Sequence, residues 1–303
     1  MVDLSLNIAG ISLKNPVMVA SGTFGYGQEM DPFLDLNRLG AIITKTITIE
    51  PRAGNHPTRI VETDAGMLNS IGLANVGLHA FIQDKLPFLR TLETKIIVNV
   101  AGKTQSDFVT IIQELDKVDG IDGYELNYSC PNVKQGGLAF SADAKLAADV
   151  TSSVRKVTKR PIITKLTPNV TSIVTIGKAV EDAGADAISA INTLVGMAID
   201  LETKRPKLAT IMGGLSGPAI KPVAMAMVYK LTHELTIPVI GIGGIMNATD
   251  ALEFLTIGAN AIQVGTANFI IPNIAEKIVD DLEQYCESKG ITKITDLINT
   301  VKT

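Results

Sequence analysis

The 303-residue sequence contains only two cysteines, Cys130 and Cys286. Two thiols cannot build a disulfide framework or supply the four thiolates of an iron–sulfur cluster. The three histidines, His56, His79 and His233, are scattered, and no group of His, Cys, Asp or Glu has the spacing of metal ligands. The sequence therefore predicts a chain without a metal centre of its own.

Long apolar runs and an excess of positive charge are also missing. No stretch approaches the ~20 apolar residues that span a bilayer, and residues 1–20 lack the basic start and apolar run of a signal peptide. The formal net charge of -4 provides no basic surface for nucleic acid or for anionic membranes. We therefore expect a cytoplasmic protein that binds neither.

Short apolar segments alternate regularly with helix-like segments along the chain. The apolar segments are β-branched and are predicted to be strands at residues 16–22, 41–46, 95–102, 123–130, 161–168, 187–193, 238–245 and 261–267. Eight such strand–helix units predict a (β/α)8 TIM barrel that forms a single domain over residues 1–303. A doubly wound open sheet is the alternative.

Three segments fall outside this alternation. Residues 4–17 are predicted to form an N-terminal hairpin that covers the bottom of the barrel. The connections 47–76 and 194–220, after the second and sixth predicted strands, are too long for simple turns. Long βα loops on a barrel are commonly functional, so we expect both to contribute to a site.

Polar residues gather at the C-terminal ends of the predicted strands. In chain order they are Ser21, Lys45, Thr46, Asn99, Asn127, Cys130, Lys165, Asn192 and Thr193. A single Asn here usually forms a turn, and a single Lys usually reaches solvent. Agreement among six strands favours a shared site at the top of the barrel, where barrel enzymes hold their active sites.

Glycines replace these polar residues after the last two predicted strands. Gly243-Gly244 and Gly265-Thr266 suit a phosphate group held by backbone N–H groups. The alternative is that the glycines only permit tight turns. The segment GIGGIM lacks the third glycine of a dinucleotide fingerprint. Together with two lysines and several amides, the glycine turns favour a planar, carbonyl-rich ligand such as an isoalloxazine.

The two cysteines have different surroundings in the sequence. Pro131 disfavours helix at Cys130, which therefore lies on extended or turning backbone where a strand ends. A thiol has an unperturbed pKa near ~8.5, so Cys130 could act as a general base; the alternative is a small buried filler. Cys286 lies between Glu283 and Glu287 on a terminal helix, where acids are expected to raise its pKa and leave it inert.

Four motifs carry a family resemblance. They are MLNSIGLANVGL (67–78), NYSCPNVKQGG (127–137), INTLVGMAIDLETKRP (191–206) and GGLSGPAIKP (213–222). In this order, and over essentially the whole chain, the sequence resembles class 1 dihydroorotate dehydrogenase. The resemblance implies an FMN-containing (β/α)8 barrel that oxidises dihydroorotate to orotate in pyrimidine biosynthesis.

The resemblance also implies a role for individual residues. Cys130 would take the proton from C5 of dihydroorotate while the C6 hydride passes to N5 of FMN. Residues matching the substrate pocket are Lys45, Asn69, Ser70, Ile71, Gly72, Leu73, Asn127, Asn192 and Thr193. Residues matching the FMN contacts are Ser21, Lys45, Thr46, Asn99, Asn127, Lys165, Ile191, Gly217, Gly243, Gly244, Gly265 and Thr266.

One residue departs from the family pattern. Tyr128 stands where an aliphatic residue is usual. Alternation along the strand points Tyr128 away from Asn127 and the pocket, so we expect it to affect helix packing or a subunit surface rather than the chemistry.

The motifs are most similar to those of the NAD-linked form, class 1B. That form pairs a homodimer of FMN barrels with partner subunits that carry FAD and a [2Fe–2S] cluster, giving a heterotetramer. The quinone-linked class has a serine base and an N-terminal membrane-binding extension, which we do not expect here. The alternatives are the fumarate-linked homodimer, a flavin-free phosphate-binding isomerase or lyase barrel, and a barrel kept only as an interaction scaffold.

Overall fold

The computed structural model describes residues 2–128 and 142–302. Its strands are β1 (Leu6–Ile8), β2 (Ile11–Leu13), β3 (Val17–Val19), β4 (Ala41–Ile43), β5 (Ile60–Thr63), β6 (Gly66–Asn69), β7 (Lys95–Val100), β8 (Gly123–Asn127), β9 (Ile162–Leu166), β10 (Ala187–Ala190), β11 (Leu194–Met197), β12 (Ile199–Asp200), β13 (Arg205–Pro206), β14 (Met212–Ser216), β15 (Val239–Ile242) and β16 (Ala261–Val264).

The α-helices lie between the barrel strands and follow the last one. They are α1 (Leu78–Ala80), α2 (Leu86–Leu89), α3 (Gln105–Leu115), α4 (Ala144–Arg155), α5 (Ile173–Asp182), α6 (Lys221–Glu234), α7 (Ala248–Thr256), α8 (Ala267–Ile270) and α9 (Ile274–Lys289), and a π-helical segment, Phe81–Lys85, joins α1 to α2. Short 3-10 turns occur at Leu36–Arg38, Pro218–Ile220 and Ile294–Leu297.

Side-chain caps fix where several of these helices begin. Thr104 and Asp107 form a reciprocal capping box at α3, and the side chains of Asp143, Ser172 and Asn247 accept hydrogen bonds from the first turns of α4, α5 and α7. Each cap satisfies backbone N–H groups that have no partner within the helix. The local sequence therefore specifies where these four helices begin.

Eight parallel strands close into a barrel in the order β3, β4, β7, β8, β9, β10, β15 and β16, with β16 pairing to β3. This closure confirms the predicted (β/α)8 barrel and excludes the open-sheet alternative. The strands are shorter than predicted because their polar C-terminal residues, such as Lys45 and Thr46, already belong to the loops.

The predicted N-terminal hairpin is also confirmed. Strands β1 and β2 pair antiparallel, and Ile8, Ile11 and Leu13 are buried in one cluster with Met18 of β3 and Ile163 of β9. The hairpin therefore packs against the interior of the barrel.

The two long connections pair with each other. Strands β5 and β6 from the first and β11 and β14 from the second form a four-stranded antiparallel sheet in the order β11-β14-β6-β5. Asn69 lies opposite Gly214 in this sheet. Because both connections leave the C-terminal ends of barrel strands, the sheet lies over the top of the barrel.

Tyr128 packs between the barrel and its helices. Its ring lies edge-on to Phe108 of α3, with 6.0 Å between the ring centroids, and its hydroxyl hydrogen-bonds with the Thr151 hydroxyl of α4 at 2.6 Å. Complete burial raises the pKa of Tyr128. Tyr128 therefore serves helix packing, as the strand alternation predicted.

None of the helices in the described part of the chain is long and apolar enough to cross a membrane.

Candidate functional site

A cavity of about 520 Å³ opens at the C-terminal ends of the barrel strands, beneath the four-stranded sheet. Its volume is in the range of small-molecule and cofactor sites. The walls come from the loops after the barrel strands and the roof from the two long connections. The predicted location of the site at the top of the barrel therefore coincides with a cavity of suitable size.

Nearly all residues proposed from the sequence line this one cavity. They are Ser21, Lys45, Thr46, Asn69, Ser70, Ile71, Gly72, Leu73, Asn127, Lys165, Ile191, Asn192, Thr193, Gly217, Gly243, Gly244, Gly265 and Thr266. Asn99 does not line it but lies completely buried in the barrel. Cys130 falls outside the described residues. The structure thus brings the predicted groups together, while their individual roles stay predictions.

The cavity has a marked charge bias. Three cationic side chains line it, Lys45, Arg52 and Lys165, and no carboxylate does so among the residues that the structure describes. Cationic side chains in a cavity wall attract anionic ligands. Asn127 and Asn192, whose amides are 3.4 Å apart, add neutral hydrogen-bonding groups. Such a wall fits a ring that bears both amide groups and a carboxylate or phosphate.

Lys45 is the cation whose charge is most affected by its position. It follows β4 and is largely enclosed by the cavity wall, and this burial lowers the pKa of Lys45 below the ordinary value of a lysine. Removing an ammonium ion from water disfavours its charged form, whereas a bound anion would restore it. An anion bound beside Lys45 would therefore favour its protonated form.

The floor of the cavity is polar, which the sequence analysis missed. Lys165 Nζ lies 3.4 Å from Oε1 of Glu125, and Glu125 is completely buried in the middle of β8. The only hint in the sequence was a charged residue inside a strand otherwise expected to be apolar. Asn99 Nδ2 donates to the same oxygen at 2.6 Å, which explains why Asn99 lies below the cavity rather than in its wall.

Two glycines leave room that a side chain would fill. A Cβ atom at Gly22 would meet no heavy atom within 4 Å, and one at Gly265 would meet only Ala20 Cβ, at 3.8 Å. Both glycines line the cavity, so the space in front of them is open to it. Glycine is favoured at positions 243 and 244 for a different reason. The φ angles of Gly243 and Gly244, 133° and 73°, lie where residues with a side chain are strained.

Hydrogen bonds within and between the two long connections fix the roof. Asn69 Nδ2 donates to the Gly214 carbonyl at 3.2 Å, and Asn55 Nδ2 donates to Ser70 Oγ at 2.9 Å. Ser70 Oγ also accepts from Thr210 Oγ1 at 2.5 Å. The roof residues are therefore held over the floor by contacts between segments about 140 residues apart in the chain.

Several lining residues were not predicted. Arg52, Asn55, Met67 and Phe269 line the cavity, yet none follows a barrel strand directly. The first three come from the long connection 47–76, which was expected to be functional only as a whole. Phe269 lies on α8 and is about half exposed, 53%, so it forms part of the cavity's outer edge.

The sequence analysis predicted a raised pKa for Cys286 but attributed it to the wrong cause. The pKa of Cys286 is raised, as expected, but burial raises it rather than the neighbouring acids. Cys286 is fully buried on the inner face of α9, whereas Glu283 is only half-buried and Glu287 is exposed. The thiol is therefore a packing residue.

The chain matches the family model described as dihydroorotate dehydrogenase over residues 3–286. It is 57% identical over 301 residues to the "Dihydroorotate dehydrogenase B (NAD(+)), catalytic subunit" of Geotalea uraniireducens, covering 99% of each chain. It is 52% identical over 300 residues to the protein of the same name from Geobacter sulfurreducens, covering 99% of this chain and 98% of that one.

A solved structure shares the fold at much lower identity. The DHODH of Eimeria tenella in complex with ferulenol superposes with a TM-score of 0.82 at 22% sequence identity, over 98% of this chain and 88% of that one. At that identity the likeness concerns the arrangement of strands and helices alone.

Proposed function

Because the chain belongs to the dihydroorotate dehydrogenase family, we propose that it is the FMN-containing catalytic subunit of an NAD-linked, class 1B dihydroorotate dehydrogenase. It would oxidise dihydroorotate to orotate in pyrimidine biosynthesis. The observation that carries the proposal is a cavity at the top of the barrel that is lined by Lys45, Arg52 and Lys165 and, within residues 2–128 and 142–302, by no carboxylate. Cofactor phosphate and substrate carboxylate are both anions.

The cavity fits a flavin mononucleotide on its glycine-rich side. The turns Gly243-Gly244 and Gly265-Thr266 would hold the phosphate, and the open space in front of Gly22 and Gly265 admits a bulky planar group. Ser21, Thr46, Asn127, Lys165, Ile191 and Gly217 would complete the FMN contacts. When bound, the flavin supplies an acceptor for the substrate's hydride.

The substrate would lie between this cofactor and the roof. Its carboxylate would pair with Lys45, and its ring amides would exchange hydrogen bonds with Asn69, Asn127 and Asn192. The Ser70–Leu73 backbone and Thr193 would enclose it from above and from the side. The walls exclude water and hold the ring in one orientation, which is the main task of protein groups around a cofactor.

Cys130 would be the general base that removes the proton from C5. Support comes from the sequence NYSCPN and from the family to which the chain belongs. Asn127, three residues earlier in the sequence, lines the cavity at the end of β8.

The physiological electron acceptor would be NAD, reached through a partner. Relatives at 57% and 52% identity are named NAD(+)-linked catalytic subunits, a name that implies a second subunit and does not favour the fumarate-linked alternative. We propose that this partner carries FAD and a [2Fe–2S] cluster, and that a homodimer of barrels forms a cytoplasmic heterotetramer with two such partners. The flavin-free barrel and the scaffold are left without support.

Anaerobic reduction tests the proposed function directly. The purified chain should carry one flavin, and dihydroorotate added in the absence of oxygen should bleach its visible absorbance. Orotate should be formed in equal amount. A colourless chain that rejects added FMN, or a flavin that dihydroorotate does not reduce, would contradict the proposal.

Gly265→Val should weaken flavin binding while leaving the apoprotein folded. The new side chain projects into ligand space and meets little of the protein. Overpacking a site costs about 1–3 kcal/mol, which corresponds to about 5–150-fold weaker binding. Fluorescence titration of the apoprotein with FMN measures the affinity, and the thermal midpoint of the apoprotein serves as the folding control. An FMN affinity equal to that of the parent protein would contradict the placement of the flavin beside Gly265.

Orotate binding should weaken at high pH, beginning below the ordinary pKa of lysine. The pKa of Lys45 in the free protein is lowered by burial, so the ammonium ion is lost as the pH rises through that lowered value. Above that pKa, the affinity for orotate should fall by up to about tenfold per pH unit, until the pH reaches the higher pKa that Lys45 has in the orotate complex. Orotate titrations of the flavin spectrum measure this, and Lys45→Met, measured in parallel, reports any slope due to orotate itself. Equal slopes in both proteins would contradict the assignment.

A further inference from the structure

We propose that Glu125 is a positioning residue that holds Lys165 at the floor of the cavity and lowers the reduction potential of the bound flavin. The inference deepens the proposed function, because it concerns the charge beneath the same cofactor. It rests on a buried group that no sequence motif or charge pattern had singled out.

Glu125 is the centre of a polar layer inside the barrel. Oε1 accepts hydrogen bonds from Asn99 Nδ2 at 2.6 Å and from Lys165 Nζ at 3.4 Å. Oε2 accepts from Ser189 Oγ at 2.8 Å and from Gln263 Nε2 at 2.7 Å. These partners come from β7, β9, β10 and β16. A single carboxyl group thus connects five of the eight barrel strands.

The geometry fits the ionised carboxylate. All four partners are placed as donors, with two hydrogen bonds reaching each oxygen, which is the pattern of a carboxylate that only accepts hydrogen bonds. A fully buried carboxylate is costly unless it is paired and hydrogen-bonded. Lys165, whose side chain is only 7% exposed, is the counter-ion. Glu125 and Lys165 therefore form a pair with no net charge.

This neutrality matters because Lys165 also lines the cavity. A cation beneath a flavin stabilises the negative charge that the ring gains on reduction. Glu125, which is fully buried and does not line the cavity itself, offsets part of that stabilisation. The carboxylate thus fixes the position of Lys165 and moderates its electrostatic effect on the cofactor.

Glu125→Gln removes the charge with little change in shape. Asn99 Oδ1 and Gln263 Oε1 are buried and accept no hydrogen bond from the described residues. Rotating either amide by half a turn would let its oxygen accept from the amide introduced at position 125. The variant can therefore keep a full set of hydrogen bonds while Lys165 loses its counter-ion.

The test is the flavin reduction potential of the holoprotein, measured by equilibration with a reference dye. Glu125→Gln should shift the equilibrium towards reduced flavin by at least about tenfold, which is a rise of about 30 mV for a two-electron couple. Thr164→Val is the matched control: Thr164 precedes Lys165, is completely buried, and its hydroxyl has no partner in the described structure. It should leave the potential at the parent value.

The possible outcomes distinguish failure of the proposed function from failure of the role assigned to Glu125. A parent chain that binds no flavin would refute the proposed function itself. A Glu125→Gln variant that binds flavin at the parent potential would overturn the role of Glu125 while leaving the proposed function intact. Equal shifts in Glu125→Gln and Thr164→Val would reduce Glu125 to a packing role.

A second measurement applies if Glu125→Gln does not fold. Glu125→Asp keeps the charge, and infrared difference spectra between reduced and oxidised flavin report carboxylates that sense the cofactor. A carboxylate band that moves between the parent and Glu125→Asp supports the proposal. Difference spectra that contain no carboxylate band altered by Glu125→Asp would contradict it.

Discussion

Cys130→Ala should retain its flavin and lose about 10²–10⁴-fold in the rate at which dihydroorotate reduces it, the usual contribution of a positioned general base. The proton on C5 would then have no acceptor in the chain. Cys130→Ser should keep a trace of activity with its pH profile displaced upward, because a hydroxyl is much harder to deprotonate than a thiol. Anaerobic stopped-flow bleaching of the flavin measures both rates.

The chain contains its own matched control for this experiment. Cys286 is the other cysteine in the sequence, and it is buried on α9 away from the cavity lining. Cys286→Ala should reduce its flavin at the parent rate, with at most a lower thermal midpoint from the lost packing. If Cys130→Ala also reduced its flavin at the parent rate, Cys130 would be a packing residue and the base would have to be sought elsewhere.

The isolated chain should reduce artificial electron acceptors with dihydroorotate but should not reduce NAD. It has no dinucleotide fingerprint, since GIGGIM stops short of one, and two cysteines cannot hold an iron–sulfur cluster. In the part of the chain that the structure describes, no group of three or more His, Cys, Asp or Glu could hold a metal ion. We therefore expect electrons to reach NAD through another protein.

Adding a partner subunit with FAD and a [2Fe–2S] cluster should establish NAD reduction. NADH formation at 340 nm, with and without the partner, measures the effect, and turnover with the artificial acceptor confirms that the barrel itself is active in both samples. Efficient NAD reduction by the chain alone would contradict the proposed division of labour. Rapid turnover with fumarate alone would instead place the chain with the fumarate-linked homodimers.

The sequence by itself determined the barrel and the end at which its site lies. Runs such as KIIVNV and PIITKL identify strands because strand and helix periodicities depend on residues two to four positions apart. Lys45, Asn127 and Lys165 were placed at the site because the C-terminal ends of parallel strands all meet at one face. The motif NYSCPNVKQGG added the family, which the comparisons confirm.

Only the tertiary structure decided how the site is enclosed and what lies beneath it. The pairing of β6 with β14 joins segments about 145 residues apart, and nothing local to either segment specifies that register. Glu125 likewise stands inside a predicted strand, 123–130, but its partners lie on four other strands. Local pattern specifies each element, whereas contacts between distant residues exist only once the barrel has closed. For that reason the sequence predicted where the cavity lies, and the fold revealed the roof above it and the ion pair at its floor.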